Sequence, residues 1–525
     1  MNRTVQTVVV AVIVIALVGA GALGAAYLLF GDDSGDSSGE SQGPRPTAAS
    51  TTPAPDATEP PSPELEPYYS QQVEWEPCGD NQCGFLTVPV DYRDAGGATI
   101  EVNLLKVPAA NPDARIGSLV VNPGGPGAPG TTYAEGADTA FRAPITDRYD
   151  IVGFDPRGTG DSAPIDCLPD DEMTDFLAVD PDPDDAGEEQ VLVDELADFY
   201  QGCADSSAPL VAHVTTAETA RDMDVLRAAL GESTLSYFGA SYGTKLGATY
   251  AELFPDKVGR LVLDGAVDVG LSSRDLTLGQ AGGFETALGA YVDNCVDETP
   301  SCFLGDSREE GLETISDLLT DIDEEPLPTS DGRELTVGSA FYGVVTPLYV
   351  RDYWYLLSQG LSTALEGDGT TLMLLADAYA SRQNGTYLDN STEAIYAINC
   401  LDDPFYVEPE QVEAEVGAFE EVSPTFGRVF AWSLVNCKGM QVESSEPALD
   451  IRAEGAAPIV VVGTTRDPAT PYEWAVGLAE RLESGVLVSR DGDGHTGYNA
   501  GNECVDTAIE AYLTDGTVPD DGLEC

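Results

Sequence analysis

An α/β fold, with a mostly parallel sheet covered on both faces and a helical cap inserted late in the chain, is predicted by three features of this 525-residue sequence. Apolar runs at 84–90, 99–106, 118–122, 151–155, 235–239, 259–264, 458–463 and 485–489 read as strands. Helical patterns fall between several of them, notably 217–230 and 242–254, which is the alternation that builds parallel sheets. A helix-rich stretch from about 270 to 445, with segments at 276–292 and 309–322, interrupts that rhythm.

The most informative element is the junction after 235–238. A β-rich run enters Gly239-Ala240-Ser241-Tyr242-Gly243, and a helical run, 244–253, leaves it. A sharp strand-to-helix turn lifts a serine hydroxyl clear of the backbone, and glycines two residues either side avoid Cβ clashes. This is a nucleophile elbow, so the expected fold is the α/β-hydrolase, and Ser241 is the candidate nucleophile. With 55 glycines the chain also carries decoys around Ser37 and Ser41. Neither decoy follows a strand or opens a helix.

A serine needs a base, and the chain has 2 histidines, His213 and His495. In α/β-hydrolases the order along the chain is Ser, then Asp or Glu, then His. His495 is downstream of Ser241, in a Gly-rich loop after the run 485–489. His213 lies upstream and just before a helix start, where it reads as a surface or capping residue. The third member should sit at a strand end between Ser241 and His495. The run 457–462 is continuously apolar, as in a strand buried on both faces, and Asp467 follows it in a turn. There it can accept the Nδ1 proton of His495 and hold the productive tautomer. The expected oxyanion hole takes one amide from Tyr242, after the nucleophile. The second comes from Gly125, in the loop Pro123-Gly124-Gly125-Pro126-Gly127 after the run 118–122.

Together, Asn122-Pro123-Gly124-Gly125-Pro126-Gly127, Asp155-Pro156-Arg157-Gly158-Thr159-Gly160-Asp161-Ser162, the elbow, Arg466-Asp467-Pro468 and Gly494-His495 resemble the secreted bacterial tripeptidyl aminopeptidases. These are α/β-hydrolases related to prolyl aminopeptidases. The resemblance spans roughly residues 70–525. It departs from the family at Ala128-Pro129-Gly130, where Gly-Ser-Gly is expected; no candidate catalytic group is lost.

Residues 1–31 read as a cytoplasmic stub and a transmembrane signal-anchor. The apolar run 8–30 would be about 34 Å long as a helix, against a hydrocarbon core of about 30 Å. Arg3 precedes it and Asp32, Asp33 and Asp36 follow, which sends the rest of the chain outward. A cleaved signal peptide, with Ala20-Gly21-Ala22 as the cleavage site, is the rival and would make the protein secreted. Residues 32–66 are rich in Pro, Ser, Gly and acids and read as a disordered tether. The remainder divides into hydrolase core at 67–270 and 446–525, with the cap at 271–445. The cap falls between the sixth strand and the acid strand, over Ser241.

All 10 cysteines lie beyond the apolar run, and an even count in an exported chain argues for disulfides. Their spacing suggests local pairs: Cys78 with Cys83, Cys167 with Cys203, Cys295 with Cys302, Cys400 with Cys437 and Cys504 with Cys525. No paired cysteines or histidine cluster suggest a metal, and no cofactor is implied. The formal net charge of −67, from 91 acidic and 24 basic residues, excludes nucleic acid and anionic membrane surfaces as partners; the membrane is reached through the N-terminal helix alone. Asn384-Gly385-Thr386 and Asn390-Ser391-Thr392 fit the glycosylation pattern, which carries little weight in a bacterial chain.

The expected function is a cell-surface serine exopeptidase that releases short peptides, tripeptides as the resemblance implies, from free amino termini of peptide or protein substrates. An aminopeptidase needs a carboxylate for the α-ammonium, and Asp402 and Asp403, beside Cys400 in the cap, are the candidates. A carboxylesterase or lipase with the same triad, and a non-catalytic binding protein on a hydrolase fold, are the alternatives.

Overall fold

The computed structural model describes residues 57–298, 302–444 and 446–525. Residues 1–56, which hold the expected anchor and most of the expected tether, lie outside the described residues. No helix among the described residues is long and apolar enough to cross a membrane.

The seven strands of the N-terminal half are β1 (Glu76–Cys78), β2 (Asn81–Pro89), β3 (Thr99–Val107), β4 (Gly117–Asn122), β5 (Tyr149–Phe154), β6 (Leu235–Ala240) and β7 (Val258–Asp264). The cap adds two small hairpins, β8 (Leu327–Pro328) with β9 (Glu334–Leu335) and β10 (Arg382–Gln383) with β11 (Thr386–Tyr387). The sheet then resumes with β12 (Ile459–Arg466), β13 (Gly485–Asp493) and β14 (Leu523–Glu524). The ten-stranded sheet runs β1-β2-β3-β5-β4-β6-β7-β12-β13-β14. Every pairing from β5 to β14 is parallel, whereas β1, β2 and β3 join antiparallel. All eight expected strands are present, in the expected α/β-hydrolase arrangement. The missed β1 and β14 are short edge strands held beside Cys78–Cys83 and Cys504–Cys525 bridges.

Burial explains the two strand textures. β4 and β5 are buried at every position, because helices cover both faces of the parallel part. In β12, Ile459 and Val461 point into one core and Val460 and Val462 into the other. β2 instead alternates buried and exposed residues toward its end, the pattern of a strand with one wet face.

Two expected boundaries differ. Ordered chain begins before residue 67: Ala57 is fully buried and its carbonyl accepts from Arg227 Nη1 at 3.0 Å, and Leu65 packs into the main core. A buried guanidinium must find acceptors, and the end of the supposed tether supplies one. The stretch 163–215, assigned to the core by position, instead carries the helices Asp170–Leu177 and Ala186–Ser206, which pack on the cap. Phe176 and Phe199 lie 5.4 and 5.5 Å from the Tyr396 ring, and Tyr200 Oη donates to Asn436 O at 2.7 Å.

The five disulfides join the five pairs that spacing suggested. The motif around Arg157 is architectural. Arg157 is fully buried, forks onto Asp222 through Nε and Nη2 at 2.7 Å each, and reaches Glu218 at 2.6 Å. It ties the end of β2 to the helix Thr216–Ala229 by donating to Pro89 O and Val90 O.

Candidate active site

Ser241 sits between β6 and the helix Tyr242–Leu253 with φ 56° and ψ −126°. A non-glycine residue there costs about 1–3 kcal/mol, so the surroundings must hold it. They do: its N–H donates to Asp264 O at 2.9 Å, and Thr244 donates twice to its carbonyl, from N at 2.8 Å and Oγ1 at 2.6 Å. The flanking glycines are required by contact. A Cβ on Gly239 would stand 2.3 Å from Gly243 O, and one on Gly243 2.9 Å from Asn122 O.

The loop expected to supply an oxyanion-hole amide is pressed onto this turn. A Cβ on Gly124 would lie 2.6 Å from Ala240 O and 3.0 Å from Tyr242 N. Asn122 Oδ1 accepts the Gly124 N–H at 3.0 Å. Gly125 lines the same cavity as Ser241. Tyr242 opens its helix, so its amide has no intrahelical acceptor.

His495 and Asp467 meet as their spacing suggested. His495 Nδ1 is 2.8 and 2.9 Å from the two Asp467 oxygens. Asp467 is 2% exposed and also accepts amides of Ala469, Thr470 and Thr496 at 3.0, 2.9 and 3.1 Å. Those bonds fix its orientation. Burial opposes charge on His495, but the charge and hydrogen bond of Asp467, with the charge of Asp264, outweigh it and raise the imidazole above its ordinary 6.5. Nε2, the nitrogen a general base would use, is buried and without a protein partner among the described residues. The cap holds the candidate base too: Tyr349 O accepts the main-chain N–H of His495 at 2.8 Å, and its ring stands perpendicular to the imidazole at 5.5 Å. His213 lies elsewhere, 3.3 Å from Glu218.

Ser241, His495 and Gly125 open into one cavity of about 770 Å³. Its walls are mostly apolar and aromatic, with Phe284, Phe341, Tyr396, Phe430 and Trp432 from the cap. Glu195, Asp389 and Asp403 bring carboxylates to the lining. Of the two acids expected to receive an ammonium, Asp402 is already committed. It accepts Lys245 Nζ at 2.7 Å, Thr216 N at 2.9 Å and Thr216 Oγ1 at 2.5 Å, and does not line the cavity. A cation one helical turn after Ser241 neutralises it, which its sequence neighbours could not reveal. Asp403 does line the cavity and accepts Ser273 Oγ at 2.5 Å.

The sequence reading missed Asp264, Tyr349 and Glu195. Asp264 had a signal: it is the first polar residue after an apolar run, at the carboxyl end of a parallel strand, where sites gather. Tyr349 and Glu195 had none, being one tyrosine among 22 and one acid among 91.

Comparison with known proteins agrees with this geometry. A family described as "alpha/beta hydrolase fold" matches residues 117–297, and one described as "TAP-like protein" matches residues 423–525. The chain is 37% identical over 482 residues to the serine protease Hip1 of Mycobacterium tuberculosis, covering 88% of this chain and 92% of that protein. It is 34% identical over 499 residues to carboxylesterase B of the same organism, covering 91% and 94%. To the tripeptidyl aminopeptidase of Streptomyces lividans it is 31% identical over 470 residues, covering 86% of each. With relatives of this identity matched along most of their length, the chain belongs to the tripeptidyl aminopeptidase family of α/β-hydrolases.

Proposed function

We propose that this hydrolase is a serine exopeptidase that releases short peptides, tripeptides by analogy with its relatives, from free amino termini. The observation that carries the reading is His495, paired with the buried Asp467, sharing a capped cavity with Ser241, whose backbone is held at the strained elbow. Ser241 Oγ attacks the scissile carbonyl. His495 Nε2 takes the serine proton, then gives it to the leaving amine, and Asp467 holds the tautomer. The amides of Tyr242 and Gly125 receive the oxyanion. Water, activated by His495, hydrolyses the acyl-enzyme. The triad needs no metal or cofactor.

The cap supports exopeptidase action, because it roofs the nucleophile and brings Asp389 and Asp403 to the lining, where the helix Ala186–Ser206 adds Glu195. Asp403 is the retained candidate for the substrate ammonium. Charge-assisted hydrogen bonds contribute about 1.5–3 kcal/mol. Acetylating the amino terminus of a good tripeptide amide should therefore lower kcat/KM by at least about tenfold. Equal cleavage of blocked and free substrates would refute the exopeptidase reading. The second reading, a carboxylesterase, has its own support in the carboxylesterase B relative and the apolar walls. It moves ahead if simple acyl esters are turned over faster than any peptide amide.

The apolar run at 8–30 supports a location at the cell surface. Fractionation of the full-length protein tests it: a membrane-bound form keeping its first residues is expected, and a mature terminus near Leu23 means a cleaved signal and secretion.

A further inference from the structure

We propose that Asp264 is a positioning residue that locks the base loop to the nucleophile elbow and sets the protonation of His495. The proposal rests on Ser241 and His495 being nucleophile and base. Asp264 ends β7 and is 1% exposed. Its main-chain carbonyl accepts the Ser241 N–H at 2.9 Å. Its Oδ1 accepts the Gly497 N–H at 2.7 Å, and its Oδ2 the Tyr498 N–H at 2.8 Å. Those amides follow His495 by two and three positions. One residue therefore bonds both segments that must stay in register for proton transfer.

The base loop needs such a hold. Thr496, between His495 and the bonded amides, sits at φ 69°, an unfavourable conformation for a β-branched residue. Asp467 Oδ2 takes the Thr496 N–H, and Asp264 takes the next two. Gly265 completes the wall behind the base: its φ is +67°, and a Cβ there would stand 3.1 Å from His495 Cε1.

The charge of Asp264 is the second argument. Among the described residues no cation forms an ion pair with it, and a buried carboxylate with only two amide donors is costly. A neutral acceptor would bond the loop more cheaply. The ionisable groups that face it are His495, Asp467, Arg490 and the Tyr133 phenol. Burial pushes Asp264 up to about 6, against the two amides and the His495 charge, while Asp467 pushes it further up. When ionised, Asp264 favours the imidazolium, the form His495 adopts as the proton leaves Ser241.

Asp264→Asn keeps the shape, removes the charge and turns an NH₂ toward one of the two amides. Fluorophosphonate titration counts the active sites, so partial misfolding does not enter the rate. The expected result per site is a kcat lower by about 10–150-fold, on the loss of a charged hydrogen bond, with KM nearly unchanged. The acid limb of kcat/KM should also move to lower pH, because losing a negative charge lowers the pKa of His495. Asp264→Ser, which removes the charge and carries a hydroxyl whose hydrogen can turn away from the amides, should move the limb the same way and serves if the asparagine variant does not fold. A merely structural residue would reduce the number of titratable sites and leave the limb in place; an unmoved limb overturns the proposal. Activity that survives Ser241→Ala would instead overturn the triad reading, so the two failures are distinct.

Discussion

The sheet side and the cap side of the cavity are built on different principles. Below, the groups sit at carboxyl ends of parallel strands, and their placement is main-chain geometry: the elbow after β6, Asp264 closing β7 and Asp467 after β12. Glycines at 124, 239 and 243 leave space that no other residue could. Above, the cavity is walled by side chains from separate helices, with Phe284, Tyr396 and Phe430 converging from segments far apart in the chain. On the proposed mechanism the floor is a fixed reacting centre, and the roof is a shape that would set which acyl group fits.

If that division holds, substitutions below and above should separate in kind. The largest effect belongs to the floor. Ser241→Ala or His495→Ala should lower kcat by on the order of 10⁴ or more with the fold intact, and Asp467→Asn by about 10⁴, while Ser37→Ala and Ser41→Ala are silent. Fluorophosphonate labelling read beside turnover checks this; labelling that survives Ser241→Ala would break the assignment of the floor.

A roof variant should change selectivity instead. Phe430 is 7% exposed, stacks on Phe284 at 5.8 Å and lines the cavity. Phe430→Ala should lower kcat/KM for substrates with a bulky apolar acyl side chain by about 10–200-fold relative to small ones, and leave labelling by a small fluorophosphonate nearly unchanged. Equal loss across the substrate series, together with slower labelling, would show that the cap also holds the reacting groups in place.

The smallest effect concerns the seam between the two. Asn390, in the cap, accepts Gly160 N at 2.9 Å and donates to Gly158 O and Ile165 O at 2.9 Å each. Asn390→Ala leaves these loop groups unpaired and should cost about 1–3 kcal/mol, seen as a lower denaturation midpoint with the per-site rate retained. A lower rate per labelled site would make the seam part of the catalytic support. The same bonds occupy the side-chain amide of the Asn390 sequon.

What the sequence by itself determined is the floor. Strand period, glycine spacing and chain order are local or one-dimensional signals, so the sheet, the elbow and the pairing of Asp467 with His495 could be read from short stretches. The five disulfides were legible for the same reason, since each closes a local loop. Only the tertiary structure decided the rest. Asp402 and Asp403 are neighbours with the same side chain, yet Asp402 is tied to Lys245 and Thr216 while Asp403 reaches the cavity. Tyr349 backs the imidazole from the cap, and the helix Ala186–Ser206 contributes Glu195 to the lining. The role of such residues depends on which distant surface meets them, and the helical period that buries Phe284 or Phe430 is the same whether the neighbour is core or substrate.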